Sequence, residues 1–344
     1  MHEASAKIVY AWQFSRWKKP VLRGLFDGAK VVFVQRASQV KAGATLALWG
    51  CRPIPDGLPA EVKILRLEDG FLRSVGLGAD LIRPISWVID TRGLYYDATR
   101  PSDLEVILQT SDFNVDLLAR AARLRERIVS TGLTKYNVGS RPWERPANGK
   151  AVILVPGQVE SDASLAFGAP GLRTNLGLLQ AVRQAHPDAW LVYKPHPDVL
   201  AGMRAQGVGE GEAAAWCDEL VTDVAMGELL SQVDEVHVLT SLAGFEALLR
   251  GRPVTCYGQP FYAGWGLTTD LIPLPGRTRN LTLDALVAGS LLLYPAYLNL
   301  ETGRRSTPEQ ALDALLAWRA RSGDTLPWWR RAFRVILRRV VGVR

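Results

Sequence analysis

Residues 151–164, Ala-Val-Ile-Leu-Val-Pro-Gly-Gln-Val-Glu-Ser-Asp-Ala-Ser, decide the fold. Five apolar residues run into Pro156 and Gly157, and amide, acidic and hydroxyl side chains follow at once. A short continuous apolar run suits a parallel strand covered on both faces, and open α/β sheets bind ligands beyond the carboxyl ends of such strands. Glu160 and Asp162 therefore stand where chemistry belongs. Two further stretches repeat the pattern. Residues 190–198 pass from Trp-Leu-Val-Tyr into Lys194, Pro195, His196, Pro197 and Asp198, and residues 236–246 pass from Val-His-Val-Leu into Thr240, Ser241 and, one helical turn on, Glu246. The expectation is three strand ends around one pocket.

Upstream, residues 7–12, 30–35, 45–49 and 62–67 are short apolar runs separated by polar, helix-compatible stretches, which is a βα rhythm. The last of them runs straight into Glu68, Asp69 and Gly70, with Arg73 close behind, so a second acidic site is expected at a strand end. Residues 87–90 and 93–97 read as shorter strands. Ser102, with Glu105 three positions on, has the form of an N-cap opening a helix, and Leu117, Leu118, Ala121 and Leu124 share one face of a helix over 112–130. Residues 135–150, rich in Pro, Gly and Asn and without periodicity, read as the interdomain linker. The rhythm then restarts, with strands over 151–155, 190–193, 219–221, 235–239 and 253–257. Helices are expected over 174–185, near 200–206, and over 225–232, 243–250, 281–294 and 307–320. The expected architecture is α/β, two Rossmann-like domains facing a cleft in the glycosyltransferase-B manner. Its boundaries are 1–140, a linker at 141–150, a second domain over 151–326 and a tail over 327–344.

With 344 residues, 48% hydrophobic and 22% charged, the chain can bury a core for two ordinary domains, which excludes a disordered class. Cys51, Cys217 and Cys256 are far apart and lack C-x-x-C spacing, so neither a disulfide framework nor a zinc site is expected, and a reducing cytosol is. Residues 1–20 contain no apolar h-region, and no run reaches the roughly 20 apolar residues of a membrane span. The formal net charge of +7 is concentrated: six arginines and no acid lie in residues 327–344, leaving the body near neutral, which argues against nucleic-acid binding. Trp328, Trp329, Phe333 and aliphatic residues alternate with those arginines. This tail reads as an amphipathic helix on an anionic bilayer, or as a terminal helix docked on its own domain.

Six motifs resemble the bacterial β-Kdo transferases of capsule assembly, the module type of KpsC. They are Glu-Asp-Gly-Phe-Leu-Arg-Ser at 68–74, Tyr-Tyr-Asp-Ala-Thr-Arg-Pro-Ser-Asp-Leu-Glu at 95–105, and Pro-Gly-Gln-Val-Glu-Ser-Asp-Ala-Ser at 156–164. The others are Tyr-Lys-Pro-His-Pro-Asp at 193–198, Leu-Thr-Ser-Leu-Ala-Gly-Phe-Glu-Ala-Leu-Leu-Arg at 239–250, and Tyr-Gly-Gln-Pro-Phe-Tyr-Ala-Gly-Trp-Gly-Leu-Thr at 257–268. The resemblance implies transfer of Kdo from CMP-Kdo to a lipid-linked acceptor, a lysophospholipid or its Kdo extension, with the β configuration retained. It implies an acceptor-side first domain, a CMP-sugar-binding second domain, no cofactor beyond the donor substrate, and work at the cytoplasmic face of the inner membrane, with a second Kdo transferase as a possible partner. Related CMP-sialic acid transferases carry an acidic pair before glycine, a His-Pro and a hydroxyl pair, here Glu68-Asp69-Gly70, His196-Pro197 and Thr240-Ser241. Transfer of another CMP-activated acid is one alternative. A noncatalytic component of capsule assembly docked on the membrane is the other.

Retention requires two inversions or a front-face path. By resemblance the nucleophile is Asp162, with Glu160 as fallback; the alternative for Asp162 is an N-cap. Glu68 fits a general base if burial raises its pKa, with Asp69 as understudy; one of the two could instead cap backbone or pair with Arg73. His196, between two prolines, can donate to the phosphate, and Thr240 and Ser241 would hold the same group at a helix start. Gln158 and Lys194 join the donor set, and Glu246 could accept from ribose hydroxyls. Arg73, Tyr262 and Trp265 are the candidate acceptor or carboxylate contacts, the aromatic pair being either a sugar platform or a packed loop. His186 reads as structural, and His2 and His237 carry no signal. No Asp-x-Asp stands at a strand end and the histidines lack ligand spacing, so no metal is expected.

Overall fold

The computed structural model describes residues 7–74, 84–135, 139 and 141–322. The first half supplies strands β1 (Ile8–Trp12), β2 (Lys30–Val34), β3 (Thr45–Trp49), β4 (Lys63–Asp69) and β5 (Ser86–Asp90), with helices α1 (Lys19–Leu25), α2 (Asp103–Thr110) and α3 (Val115–Ser130). The second half adds β6 (Val152–Pro156), α4 (Ala163–Gly168), α5 (Asn175–Ala185), β7 (Trp190–Lys194) and α6 (Pro197–Leu200). It continues with β8 (Glu219–Leu220), α7 (Met226–Gln232), β9 (Glu235–Val238), α8 (Leu242–Leu249), β10 (Val254–Cys256) and β11 (Thr269–Asp270). Last come α9 (Leu283–Val287), β12 (Pro295–Leu298), β13 (Arg305–Ser306) and α10 (Pro308–Ser322).

These strands form two sheets. The six-stranded sheet, ordered β11-β10-β9-β6-β7-β8, is parallel throughout. All five residues of β6 are buried, as its uninterrupted apolar run requires of a central strand. The seven-stranded sheet is ordered β13-β12-β5-β4-β3-β1-β2. Its βα portion is parallel, but β5 runs antiparallel to β4, and β12 and β13 return from the far end of the chain to extend that edge. Residues 295–306 therefore join the first sheet, after the second sheet has been completed, and α10 packs on α3 through Arg120–Glu309 at 2.7 Å and Arg127–Asp313 at 2.6 Å.

The long helices begin where the sequence signals them. Ser102 Oγ accepts from Glu105 N–H, Asn114 Oδ1 from Leu117 N–H, and Thr174 Oγ1 from Gly177 N–H, each satisfying an amide that the helix leaves open. Three expectations fail locally. Residues 93–97 form turns rather than a strand, because the Asp90 carboxylate collects the amides of Arg92, Gly93 and Asp103 and folds the chain around itself. Helix α6 stops at Leu200 instead of continuing through 206; Gly202, at φ 65°, turns the chain away. The helical run over 281–294 is broken, α9 passing into a π-turn over Ala288–Leu293.

One core runs from the first sheet to the second. Phe71, just after β4, packs its ring 4.7 Å from Tyr95, 4.5 Å from Phe261 and 6.0 Å from Phe245. Phe71 and Phe261 are about 95% buried, so the turn carrying the first acidic pair is fixed against the loop that follows β10. Such ring pairs are worth about 0.5–1.5 kcal/mol each beyond the area they bury.

Candidate active site

The carboxyl ends of β3 and β4 in one sheet and of β6, β7 and β9 in the other meet at a cavity of about 720 Å³. That volume is in the range of sites that enclose a drug-sized or nucleotide-sized ligand. Glu68, Asp69 and Arg73 line it from the first sheet, and Asp162, Lys194, His196, Thr240, Ser241 and Glu246 from the second.

Glu68, next to last in β4, is half-buried. Its Oε2 accepts from the Tyr96 hydroxyl at 3.0 Å and its Oε1 from the Asp69 amide at 2.9 Å. Burial, reinforced by the neighbouring Asp69 charge, pushes its carboxyl up to about 7. Burial also brings the Lys18 ammonium down to about 7, against the pull of Asp69 and Glu68, and Lys18 sits over the Trp49 ring. A proton near Glu68 can thus come and go at neutral pH, as general base catalysis requires. Asp69 is committed elsewhere: its Oδ2 takes Arg73 Nε at 2.7 Å, while its buried Oδ1 has no hydrogen-bond partner. The two adjacent acids divide, one holding an arginine and one facing the cavity with a mobile proton.

Asp162 occupies the N-cap position of α4, with φ −74° and ψ 146°, yet its side chain makes no cap hydrogen bond. The carboxylate is 43% exposed and lies 3.6 Å from Arg204 Nη2, so it is available to the cavity. Glu160 is not. Its Oε1 accepts from the Asn175 amide and its Oε2 from the Val208 amide, both at 2.8 Å, and it is absent from the cavity wall. Both oxygens of Glu160 tie loops together.

The anion-holding side is built from β7 and β9. Lys194 is 5% exposed, and burial brings its ammonium down to about 8. No carboxylate among the described residues pairs with it at ion-pair distance. His196 is held neutral, at about 3, by burial and by the nearby cations Lys135, Arg204 and Lys194. The Asp198 amide donates to its Nδ1 at 3.2 Å, which places the ring proton on Nε2. Pro197 continues the wall as the first residue of α6.

Gln158 lines the cavity and also fixes its neighbours. Its Oε1 takes the Thr240 amide at 2.9 Å and its Nε2 donates to Thr240 Oγ1 at 3.0 Å, locking the loop after β6 to the start of α8. Ser241 Oγ accepts from the Ala243 amide at 3.3 Å, so both hydroxyls act as acceptors and keep their protons to donate. Glu246 is buried, which raises its carboxyl, and its Oε1 takes the Lys135 amide at 2.6 Å. Glycine is required at 157, where a Cβ would stand 2.7 Å from the Tyr193 hydroxyl.

Tyr262 and Trp265 are corrected: neither lines the cavity, and both are fully buried. The Tyr262 hydroxyl donates to the Ser241 carbonyl, with its ring against Gly244, and Trp265 Nε1 donates to the Phe261 carbonyl at 2.8 Å. The aromatic run is the packed loop, with Phe261 alone reaching the wall. Conversely, Trp17, Lys18, Trp49, Tyr96, Lys135 and Arg204 line the cavity without having been expected. Only Tyr96 lay within a quoted motif; Lys18 and Trp49 stand beside strand ends with no spacing to mark them.

The tail over 327–344 lies outside the described residues. Among those described, no helix is long and apolar enough to cross a membrane.

Comparison with known proteins places this arrangement. A family described as "Capsule polysaccharide biosynthesis protein" matches residues 58–142 and 115–299, more than half of the chain. The chain is 42% identical to the capsule polysaccharide modification protein LipA of Neisseria meningitidis serogroup A, over 90% of this chain but only 45% of that protein. It is 39% identical to the lipopolysaccharide-processing protein LpsZ of Rhizobium meliloti, covering 90% of this chain and 74% of that one. Among solved structures, the β-Kdo 2,7 transferase of Thermosulfurimonas dismutans KpsC matches with a TM-score of 0.76 and 42% identity, over 91% of this chain and 99% of that one. The β-Kdo 2,4 transferase of the same KpsC matches with a TM-score of 0.77 and 31% identity, over 92% and 100%. The chain belongs to the capsule polysaccharide biosynthesis protein family, as a KpsC-like member.

Proposed function

We propose that the chain is a retaining glycosyltransferase that moves Kdo from CMP-Kdo to a lipid-linked acceptor during capsule synthesis. One observation carries the reading: Glu68 from one sheet and Asp162 from the other enter the same cavity, with Lys194 and His196 beside them. The two sheets serve as the acceptor and donor halves of a glycosyltransferase-B pair. The KpsC relatives support the choice of sugar, and the higher identity to the 2,7 transferase favours that linkage.

In this mechanism the Asp162 carboxylate attacks C2 of Kdo as the bond to the CMP phosphate oxygen breaks, and CMP leaves with the bonding pair. His196 Nε2–H, the Lys194 ammonium and the Thr240 and Ser241 hydroxyls take up the charge gathering on that phosphate. The acceptor hydroxyl then gives its proton to Glu68 while its oxygen attacks C2, and the Asp162 carboxylate departs. Two inversions leave the configuration unchanged. The basic, Trp-containing sequence over 327–344 suits attachment to the anionic inner leaflet, where such an acceptor resides.

Intact-protein mass spectrometry after incubation with fresh CMP-Kdo and no acceptor tests the reading. Wild type or Glu68→Gln should gain the mass of one Kdo residue on the peptide containing Asp162, and Asp162→Asn should gain none. A chain that neither gains mass nor binds CMP is not this enzyme.

A further inference from the structure

At the end of the second sheet away from the cavity, His186, Glu235 and His237 come together, with all their candidate ligand atoms within 4.8 Å of one another. Glu235 and His237 are two apart on β9, so their side chains leave the same face of the strand. His186 reaches them from the residue that closes α5, its ring 4.9 Å from that of His237. Its backbone is fixed: the amide donates to the Val182 carbonyl at 2.9 Å, the carbonyl accepts from Ala189 at 3.3 Å, and Pro187 follows.

His237 is 1% exposed, and its Nε2 lies 3.0 Å from Glu235 Oε1, a contact that holds the Glu235 carboxyl below the usual carboxylate range. A buried imidazole nitrogen turned toward a carboxylate, with a second imidazole in reach of both, is placed to share an ion with them. The outer partners are present too. Thr255 Oγ1 donates to Glu235 Oε1 at 2.8 Å, and the Tyr257 hydroxyl lies 3.4 Å from His237 Nδ1, turning Nε2 inward. Ligands at metal centres are oriented by such contacts.

We propose that His186, Glu235 and His237 bind one divalent ion of the zinc class, with water as the fourth ligand. Two imidazole nitrogens and one carboxylate oxygen are the donors of a borderline ion, whereas calcium or magnesium would call for oxygen throughout. Zinc bonds of about 2.0–2.1 Å place tetrahedral ligand atoms on the order of 3.3 Å apart, the scale of this cluster. The ion would clamp the end of α5 to the start of β9, the strand that carries Thr240 three residues past His237. It takes no part in the chemistry at the cavity.

The test uses the untagged full chain, stripped with EDTA and dialysed against zinc or cobalt(II) chloride. Wild type should take up one ion per chain and melt at a higher temperature with zinc. The cobalt form should show visible d–d bands without the near-ultraviolet thiolate band that Cys51, Cys217 or Cys256 would produce. His186→Ala should abolish the stoichiometric ion, and Thr255→Val, which leaves all three ligands in place, should weaken binding about tenfold or more. No stoichiometric uptake by wild type, uptake unchanged in His186→Ala, or a thiolate band would overturn the assignment.

Discussion

The Tyr96 hydroxyl donates to Glu68 Oε2 at 3.0 Å, and that bond opposes the burial that holds the Glu68 carboxyl at about 7. The phenol itself is held far above its ordinary value, by burial first and then by the Glu68 charge, so it remains a donor throughout the working range. A base must be unprotonated to act. Turnover should therefore fall below about pH 7, and removing the donor should raise the Glu68 pKa further. In Tyr96→Phe the acidic limb of the kcat/KM profile is expected at higher pH than in wild type, with the alkaline rate largely kept. Glu68→Gln should lose both the limb and most of the activity. An acidic limb that stays in place in Tyr96→Phe would mean that another group titrates there.

Glu160 and Asp162 are two residues apart and differ in what surrounds them. Glu160 binds two backbone amides at 2.8 Å each, whereas Asp162 leaves the amides of α4 without a side-chain cap and keeps its carboxylate exposed. The Asn175 end of this pair is buried and the Val208 end exposed, and losing a hydrogen bond to a charged acceptor at a buried site costs about 1–3 kcal/mol. Glu160→Gln should lower the denaturation midpoint while the folded fraction keeps its turnover. Asp162→Asn should melt close to wild type and lose about a thousandfold or more in kcat, as expected when a covalent nucleophile is removed. Urea unfolding read beside initial rates separates the two, and the opposite pattern would transfer the nucleophile to Glu160.

His196 sets a signature in stability. Its pKa drops from the ordinary 6.5 of a solvated imidazole to about 3 in the fold, chiefly through burial. A group depressed on folding contributes stability above its unfolded pKa and loses it as pH falls, because the unfolded chain takes up the proton first. Between about pH 6.5 and pH 3 this residue should steepen the loss of stability by up to about 1.4 kcal/mol per pH unit. His196→Gln should flatten that part of the curve. Equal slopes for the two proteins would show that the imidazole is protonated in the native state.

How much of this was legible follows from what sequence patterns encode. The apolar run over 151–155 announced β6, and the polar residues after it announced the cavity, because a buried strand must end where polar groups can be satisfied. The antiparallel return of β12 and β13 left no such mark: strands this short have little periodicity, and β5, which β12 joins, is about 200 residues away. Motif membership brought Glu68, His196 and Thr240 together, but it could not tell a lining residue from a supporting one. Tyr262 and Trp265 belong to the same motifs and are buried against backbone carbonyls of Ser241 and Phe261, away from the cavity. The meeting of His186 with His237 was invisible for a related reason, since residues 51 apart in sequence have no ligand spacing until α5 and β9 are packed.

Lys194 shows function set against stability within one side chain. Its ammonium is buried at the cavity wall, lowered to about 8, and no described carboxylate pairs with it at ion-pair distance. An unpaired buried cation costs stability, because below its unfolded pKa the unfolded chain holds the proton more tightly than the fold does. A phosphate or sugar carboxylate arriving in the cavity would supply the missing partner, so the cost is recovered only when donor binds. Lys194→Met keeps the length and removes the charge. It should melt at or above the wild-type temperature, since methionine suits the buried stem, yet bind CMP at least about tenfold more weakly, a loss of about 1.4 kcal/mol. Saturating CMP should accordingly raise the melting temperature of wild type more than that of the variant. A variant that is less stable but binds CMP normally would make Lys194 a packing residue and move the phosphate site toward His196 and Thr240.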